Sequence, residues 1–179
     1  MDCISVFFDF DGWIIDFDLD LARDITRVLD AKLAELDRVF RESDDPDGGG
    51  LCDTMDYTCG MGFVAIQRYL TSTCKHVGLS KTSNSLRFGT VHSGGHSVAV
   101  IANATANYWK HCDEWDLAKL TDRQRQTADV IKTVAQINGY TCMNVLHSIS
   151  KQTGSQFAQL IEMLETWRDE LIADKNGKL

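Results

Sequence analysis

The chain has one proline in 179 residues, Pro46, and no apolar run approaching the ~20 residues that a membrane-spanning helix needs. The missing run argues against a membrane-spanning helix. The start, MDCISVFFDF, lacks both the basic region and the small-residue cleavage site of a secretory signal, so a cytoplasmic location is expected. No CxxC pair occurs among the six cysteines, Cys3, Cys52, Cys59, Cys74, Cys112 and Cys142, and a chain of this size needs no disulfide staples. The thiols are expected to be reduced, and nothing in the sequence implies a cofactor.

What is present is ordinary for a globular domain: 44% hydrophobic and 25% charged residues in a length that fits a single domain, 1–179. The net charge of −8 is unevenly spread. Residues 1–60 hold 16 acidic against 5 basic residues, a net of −11, and the remainder carries a net of +3. Such an end repels nucleic acid or attracts a basic protein, or simply presents a solvated face.

Helical periodicity dominates. Behind Asp18 or Asp20 as a cap, Leu21, Ile25, Val28, Leu29, Leu33, Leu36 and Phe40 recur at three and four residues, the apolar stripe of a helix about six turns long. The Pro46 and Gly48-Gly49-Gly50 cluster predicts a loop over 43–52. A second helix is expected from about Asp53 to Val77, with Gly78 as its stop. A longer, glycine-punctuated loop follows over 78–96. A buried central helix opens near Ser97. Thr121 and Gln124 read as a capping box for the next helix, with Ala128, Ile131, Val134 and Ala135 as its stripe up to Gly139. A short helix over Thr141 to Ser150 and a last one bearing Phe157, Leu160, Ile161, Leu164, Trp167 and Leu171 complete the set. The expected fold is all-α: a bundle of about six helices with at most one short N-terminal strand, residues 4–8.

Two stretches resemble known families. Val6-Phe7-Phe8-Asp9-Phe10-Asp11-Gly12 resembles the first motif of the haloacid dehalogenase-like hydrolases. The resemblance implies a nucleophilic Asp9 and a general acid/base Asp11 around magnesium, a phosphohydrolase on an α/β fold. Trp13 stands where that family has threonine, and the family's later motifs have no counterpart here. The bland alternative is that the phenylalanines pack on the bundle and the aspartates complement the first helix.

Ala106-Asn107-Tyr108-Trp109-Lys110-His111 resembles the signature of HEPN domains, helical bundles that include RNA-cleaving toxins and prokaryotic defence proteins and that commonly dimerise. The family pattern is an arginine, four to six residues, then histidine. It implies a cation that stabilises charge at phosphorus and a histidine that moves a proton at the ribose 2′-hydroxyl. Here Ala106 stands in place of the arginine. Asn107 and His111, four residues apart, share a helix face. Lys110 or Arg87 is left as the cation, and Arg87 with His92 repeats the spacing within the longer loop.

Weaker constellations are His92 with His96, Cys74 with His76, and His111 with Cys112 as zinc ligands, and Asp16, Asp18 and Asp20 as the start of a calcium loop that lacks its glycine and closing glutamate. No metal is expected. The helices from Leu120 to Leu171 allow a helix-turn-helix reading, but the last offers Gln156, Gln159, Glu162, Glu165 and Arg168, a poor surface for phosphates. The resulting expectation is a non-catalytic or degenerate HEPN-like protein that binds protein or RNA in prokaryotic defence, toxin–antitoxin or phage–host conflict. Its candidate site is His111, Asn107, Lys110 and Arg87. A metal-independent nuclease using His111 and a phosphohydrolase using Asp9 and Asp11 are the alternatives. The expected partners are a basic protein on the acidic first third, RNA, or a second copy of the chain.

Overall fold

Alternation of polar and apolar residues at 3.6 spacing, with caps at its breaks, produces seven α-helices in the computed structural model, which describes residues 7–10, 13–116, 118–150 and 156–177. They are α1 (Phe17–Glu42), α2 (Leu51–His76), α3 (Ser83–Leu86), α4 (Val98–His111), α5 (Asp122–Lys132), α6 (Thr141–Ser150) and α7 (Phe157–Lys175). The fold is all-α, as the periodicity predicts. Among the described residues no helix is long and apolar enough to cross a membrane.

The N-terminal strand is not alone. β1 (Phe7–Phe10) pairs antiparallel with β2 (Trp13–Asp16), Phe8 opposite Ile15 and Asp9 opposite Ile14, so the aspartate-bearing stretch forms a hairpin arm that runs directly into α1. Asp11 and Cys3 lie outside the described residues. Other boundaries shift too. The first loop closes at Gly50, because Leu51 already begins α2. The longer loop contains the single turn α3 and a bridge between Val91 and Ser97. The helix after Thr121 ends at Lys132, well before Gly139.

The core lies where α2, α4, α6 and α7 meet. Phe63, Ile66 and Leu70 of α2 pack with Ile101 and Ala102 of α4, Leu146 and Ile149 of α6, and Leu160, Leu164 and Trp167 of α7. Two glycines of α2 set how closely its neighbours approach. A Cβ on Gly60 would lie 2.1 Å from the Trp109 indole, and one on Gly62 would lie 2.2 Å from the tip of Phe157. α1 lies across α2 and α7 with Leu19, Ala22, Thr26, Leu33 and Leu36 buried. The expected stripe holds in its second half, where Leu33 and Leu36 are buried and Leu29 packs on the core, whereas Leu21, Ile25 and Val28 face outward.

Local caps start the helices. The Ser97 hydroxyl accepts from Val100 N–H at 3.2 Å, and Thr121 with Gln124 forms the expected capping box. Two caps are supplied from far away in the chain. The Asp30 carboxylate of α1 accepts from Phe157 N–H at 2.7 Å and Ala158 N–H at 3.1 Å, closing the start of α7. Asp56 of α2 accepts from Met143 N–H at 2.9 Å in the first turn of α6. A third carboxylate, Asp16, is buried between elements: it caps Leu19 N–H at 3.0 Å and accepts from Tyr69 Oη at 3.0 Å and Arg168 Nη1 at 3.2 Å.

Much of the acid in the first 60 residues is thereby spent inside the molecule or on its own helix. Asp20–Arg23, Asp24–Arg27, Lys32–Glu35, Asp37–Arg41 and Arg38–Glu42 are ion pairs within α1.

Candidate functional site

The inner face of α4 is apolar apart from Thr105, whose hydroxyl bonds back to the Ile101 carbonyl, and its remaining polar residues lie outside. Val98, Ala99, Ile101, Ala102 and Ala106 are buried, which leaves Asn103, Asn107, Lys110 and His111 on the opposite side. Ala106, in the place of the family arginine, is fully buried, so a charged side chain there would enter the core.

One amide from α2 organises this face. Gln67 is 7% exposed. Its Nε2 donates to Asn103 Oδ1 at 2.9 Å and to Asn107 Oδ1 at 2.8 Å, and its Oε1 accepts from Lys110 Nζ at 2.5 Å. Asn107 and Lys110 are thus brought together through Gln67, and the ammonium is held by a neutral oxygen instead of a carboxylate.

Beyond them the chain turns through Cys112–Glu114 and returns as α5, whose first turn faces the end of α4. Asn107, His111, Glu114, Trp115, Thr121, Arg123, Gln124 and Thr127 line a cleft of about 260 Å³ between the two helices. The His111 side chain is 52% exposed, with Nδ1 3.5 Å from Glu114 Oε2. Arg123 sits in the first turn of α5, where the helix dipole is already positive. Lys81 lies close by: burial first, then the charges of Lys110 and Arg123, hold its ammonium below the usual lysine range. Among the described residues none of Lys81, Lys110 and Arg123 forms an ion pair with a carboxylate. Arg123 and Glu114 both line the cleft, and Lys110 and Lys81 lie beside it.

Arg87 is elsewhere. Its guanidinium stacks over Phe88 at 4.9 Å, beside a separate cleft lined by Leu79, Thr82 and Asp174, and it bonds neither His92 nor His111. His92 is buried against α6. Gly94 N–H donates to its Nδ1 at 3.1 Å, so the neutral ring carries its proton on Nε2 and presents it to Ser148 Oγ at 3.3 Å. In that tautomer the ring donates to the serine and does not activate it.

An apolar cavity of about 450 Å³ between α1, α2 and α6 is lined by Leu33, Phe40, Met55, Cys59 and Met143. Its charged groups are occupied: Asp30 caps α7 and Asp37 pairs with Arg41. The α4–α5 cleft, by contrast, holds a guanidinium, Arg123, with no carboxylate partner among the described residues.

Gln67, Lys81 and Arg123 are missed by sequence reasoning, since each is far in the chain from the 106–111 motif. The available signal for Arg123 is its place behind the capping threonine of α5. Comparison with known proteins finds no family model, no curated protein and no solved structure that matches the chain.

Proposed function

We propose that the protein is a degenerate, non-catalytic HEPN-like bundle that binds RNA through the α4–α5 cleft, in the setting of prokaryotic defence or phage–host conflict that the family resemblance implies. The observation that carries this reading is the grouping of Lys81, Lys110 and Arg123 with no carboxylate partner among the described residues. A phosphodiester supplies the missing negative charge. Asn107 and Gln124 add amide groups to the cleft, and Trp115 offers a ring face on which a base stacks.

One observation favours the catalytic alternative: His111 is exposed and shares its cleft with a guanidinium, Arg123, supplied by another helix than the family's. In that reading Arg123 stabilises charge on phosphorus while His111 transfers the 2′-hydroxyl proton. No comparable observation favours a phosphohydrolase, since the strand that carries Asp9 pairs with β2 in a hairpin.

The test is titration of a labelled single-stranded RNA, followed by anisotropy and by gel, with chelator present. The wild type binds without cleaving. Lys110→Gln and Arg123→Gln each weaken binding and each reduce the salt slope by about 0.7. Cleavage abolished by His111→Ala moves the assignment to the nuclease. Absence of binding at low salt, or binding indifferent to both substitutions, overturns the reading of the cleft.

A further inference from the structure

The hydrogen bonds around the α4–α5 cleft fix which way its two amides face. Lys110 Nζ can only donate, so the Gln67 atom that it meets at 2.5 Å is the oxygen, Oε1. The other end of Gln67 is Nε2, as its 3.3 Å bond to the Asn103 carbonyl oxygen also requires. That nitrogen donates at 2.8 Å to Asn107, so the Asn107 atom turned toward α2 is Oδ1. Asn107 is left with its amino group, Nδ2, which bonds nothing among the described residues. The same holds across the cleft. The Thr121 N–H donates to Gln124 Oε1 at 2.8 Å and the Thr121 hydroxyl donates to it at 2.9 Å, which fills both lone pairs of that oxygen. Gln124 Nε2 is left without a bond among the described residues.

This orientation decides which base the cleft reads. An asparagine or glutamine reads adenine with both ends of its amide, the oxygen taking N6–H and the nitrogen giving to N7. Asn107 has its oxygen turned to Gln67 and Gln124 has its oxygen filled, so neither makes that pairing. Arg123, in the same cleft, carries a fork of donors, and such a fork matches the two adjacent acceptors of guanine, O6 and N7. Guanine has donors, N1–H and the 2-amino group, on its next edge. Glu114, with its side chain 74% exposed, is the carboxylate of the cleft that accepts from both. Trp115 lies edge-to-face with Tyr108 and lines the cleft, where a purine covers more of its ring than a pyrimidine does. At about 260 Å³ the cleft falls below the ~300–1,000 Å³ of pockets that take drug-sized ligands, which suits a single base.

We infer that the α4–α5 cleft is specific for guanine. Arg123 donates to O6 and N7, Asn107 Nδ2 and Gln124 Nε2 supply the neighbouring donors, Glu114 accepts from N1–H and the 2-amino group, and Trp115 carries the ring. This specificity rests on the RNA reading of the same cleft and adds the base that it selects.

The test is anisotropy on the full chain with labelled short uridine RNAs that hold one central guanosine, adenosine or cytidine, and with 5′-GMP as a competitor. The guanosine RNA binds about tenfold tighter than the other two. An RNA with 7-deazaguanosine, which lacks the N7 acceptor, forfeits most of that margin. Arg123→Lys keeps the charge and the salt slope but loses the fork, so it also forfeits most of the margin. Gln124→Glu keeps the capping box, because a carboxylate accepts from the Thr121 N–H equally well, but it turns a donor into an acceptor, and the ratio of guanosine to adenosine binding falls. RNAs bound equally whatever the central base, or an Arg123→Lys variant that keeps the full margin, overturn the guanine specificity and leave the RNA reading standing. No binding of any of these RNAs at low salt overturns both. A GMP that competes as strongly as the guanosine RNA assigns the cleft to a free guanine nucleotide and overturns RNA as the source of the base.

Discussion

Replacing Asp16 with alanine removes three bonds made by one carboxylate whose side chain is 4% exposed. The N-terminus of α1 loses the acceptor for Leu19 N–H, a loss of about 1 kcal/mol at a helix cap. The Tyr69 hydroxyl, on a residue 2% exposed, is left without that acceptor, at about 1–3 kcal/mol. Arg168 becomes a buried cation short of one partner. Stranding such a charge costs about 3–5 kcal/mol, and here less, because Asp169 still accepts from Nε at 2.9 Å and Nη2 at 2.8 Å. These contributions share atoms and do not add, so about 4 kcal/mol is expected, a fall in Tm of roughly 8–16 °C for a domain of this size. The assay is urea unfolding followed by circular dichroism, with Arg168→Met and the double variant completing a cycle. Methionine fills the same apolar environment without a charge, so the double variant is less destabilised than Asp16→Ala alone. A loss below 1 kcal/mol for Asp16→Ala, or a double variant equal to the sum of the singles, refutes the reasoning that an unmet charge is the main penalty.

Two further outcomes follow from the packing. Gly62→Ala places a methyl carbon 2.2 Å from Phe157, and overpacking of about 1–3 kcal/mol outweighs the roughly 1 kcal/mol of helix propensity gained, so the urea midpoint falls; a rise shows that Phe157 moves aside freely. Burial holds the carboxyls of Asp30 and Asp56 above the usual range against the backbone N–H bonds that lower them. Both bind a proton more readily when folded, so their contribution to stability is fully present below pH ~4 and falls as pH rises through the raised values. The difference in urea midpoint between wild type and Asp30→Asn therefore changes over that window, and a difference independent of pH refutes the assignment.

Elements whose signals are local were legible from sequence. The Thr121–Gln124 box, the limits of α6 and the buried stripe of α7 depend on neighbours within one or two turns, and all three stand as read. α1 misled because it has two apolar faces, and periodicity does not distinguish the one that packs on α2 and α7 from the one that meets solvent. The partner of β1 was missed because a strand this short is specified as much by its pairing as by its composition. The site was half legible: Asn107, Lys110 and His111 lie within five residues of one helix, whereas Gln67 and Arg123 arrive from α2 and α5 through tertiary packing. Arg87 carries a motif spacing with no helix to hold it.

The long-range caps have a consequence for the order of folding. The first N–H groups of α7 and α6 find their acceptors on Asp30 and Asp56, which lie 127 and 87 residues earlier. During synthesis α1 and α2 emerge first and can pair with each other while those carboxylates still face water. The C-terminal helices then nucleate against a surface that already holds their missing acceptors, so that the N-terminal helical hairpin serves the rest of the chain as a template.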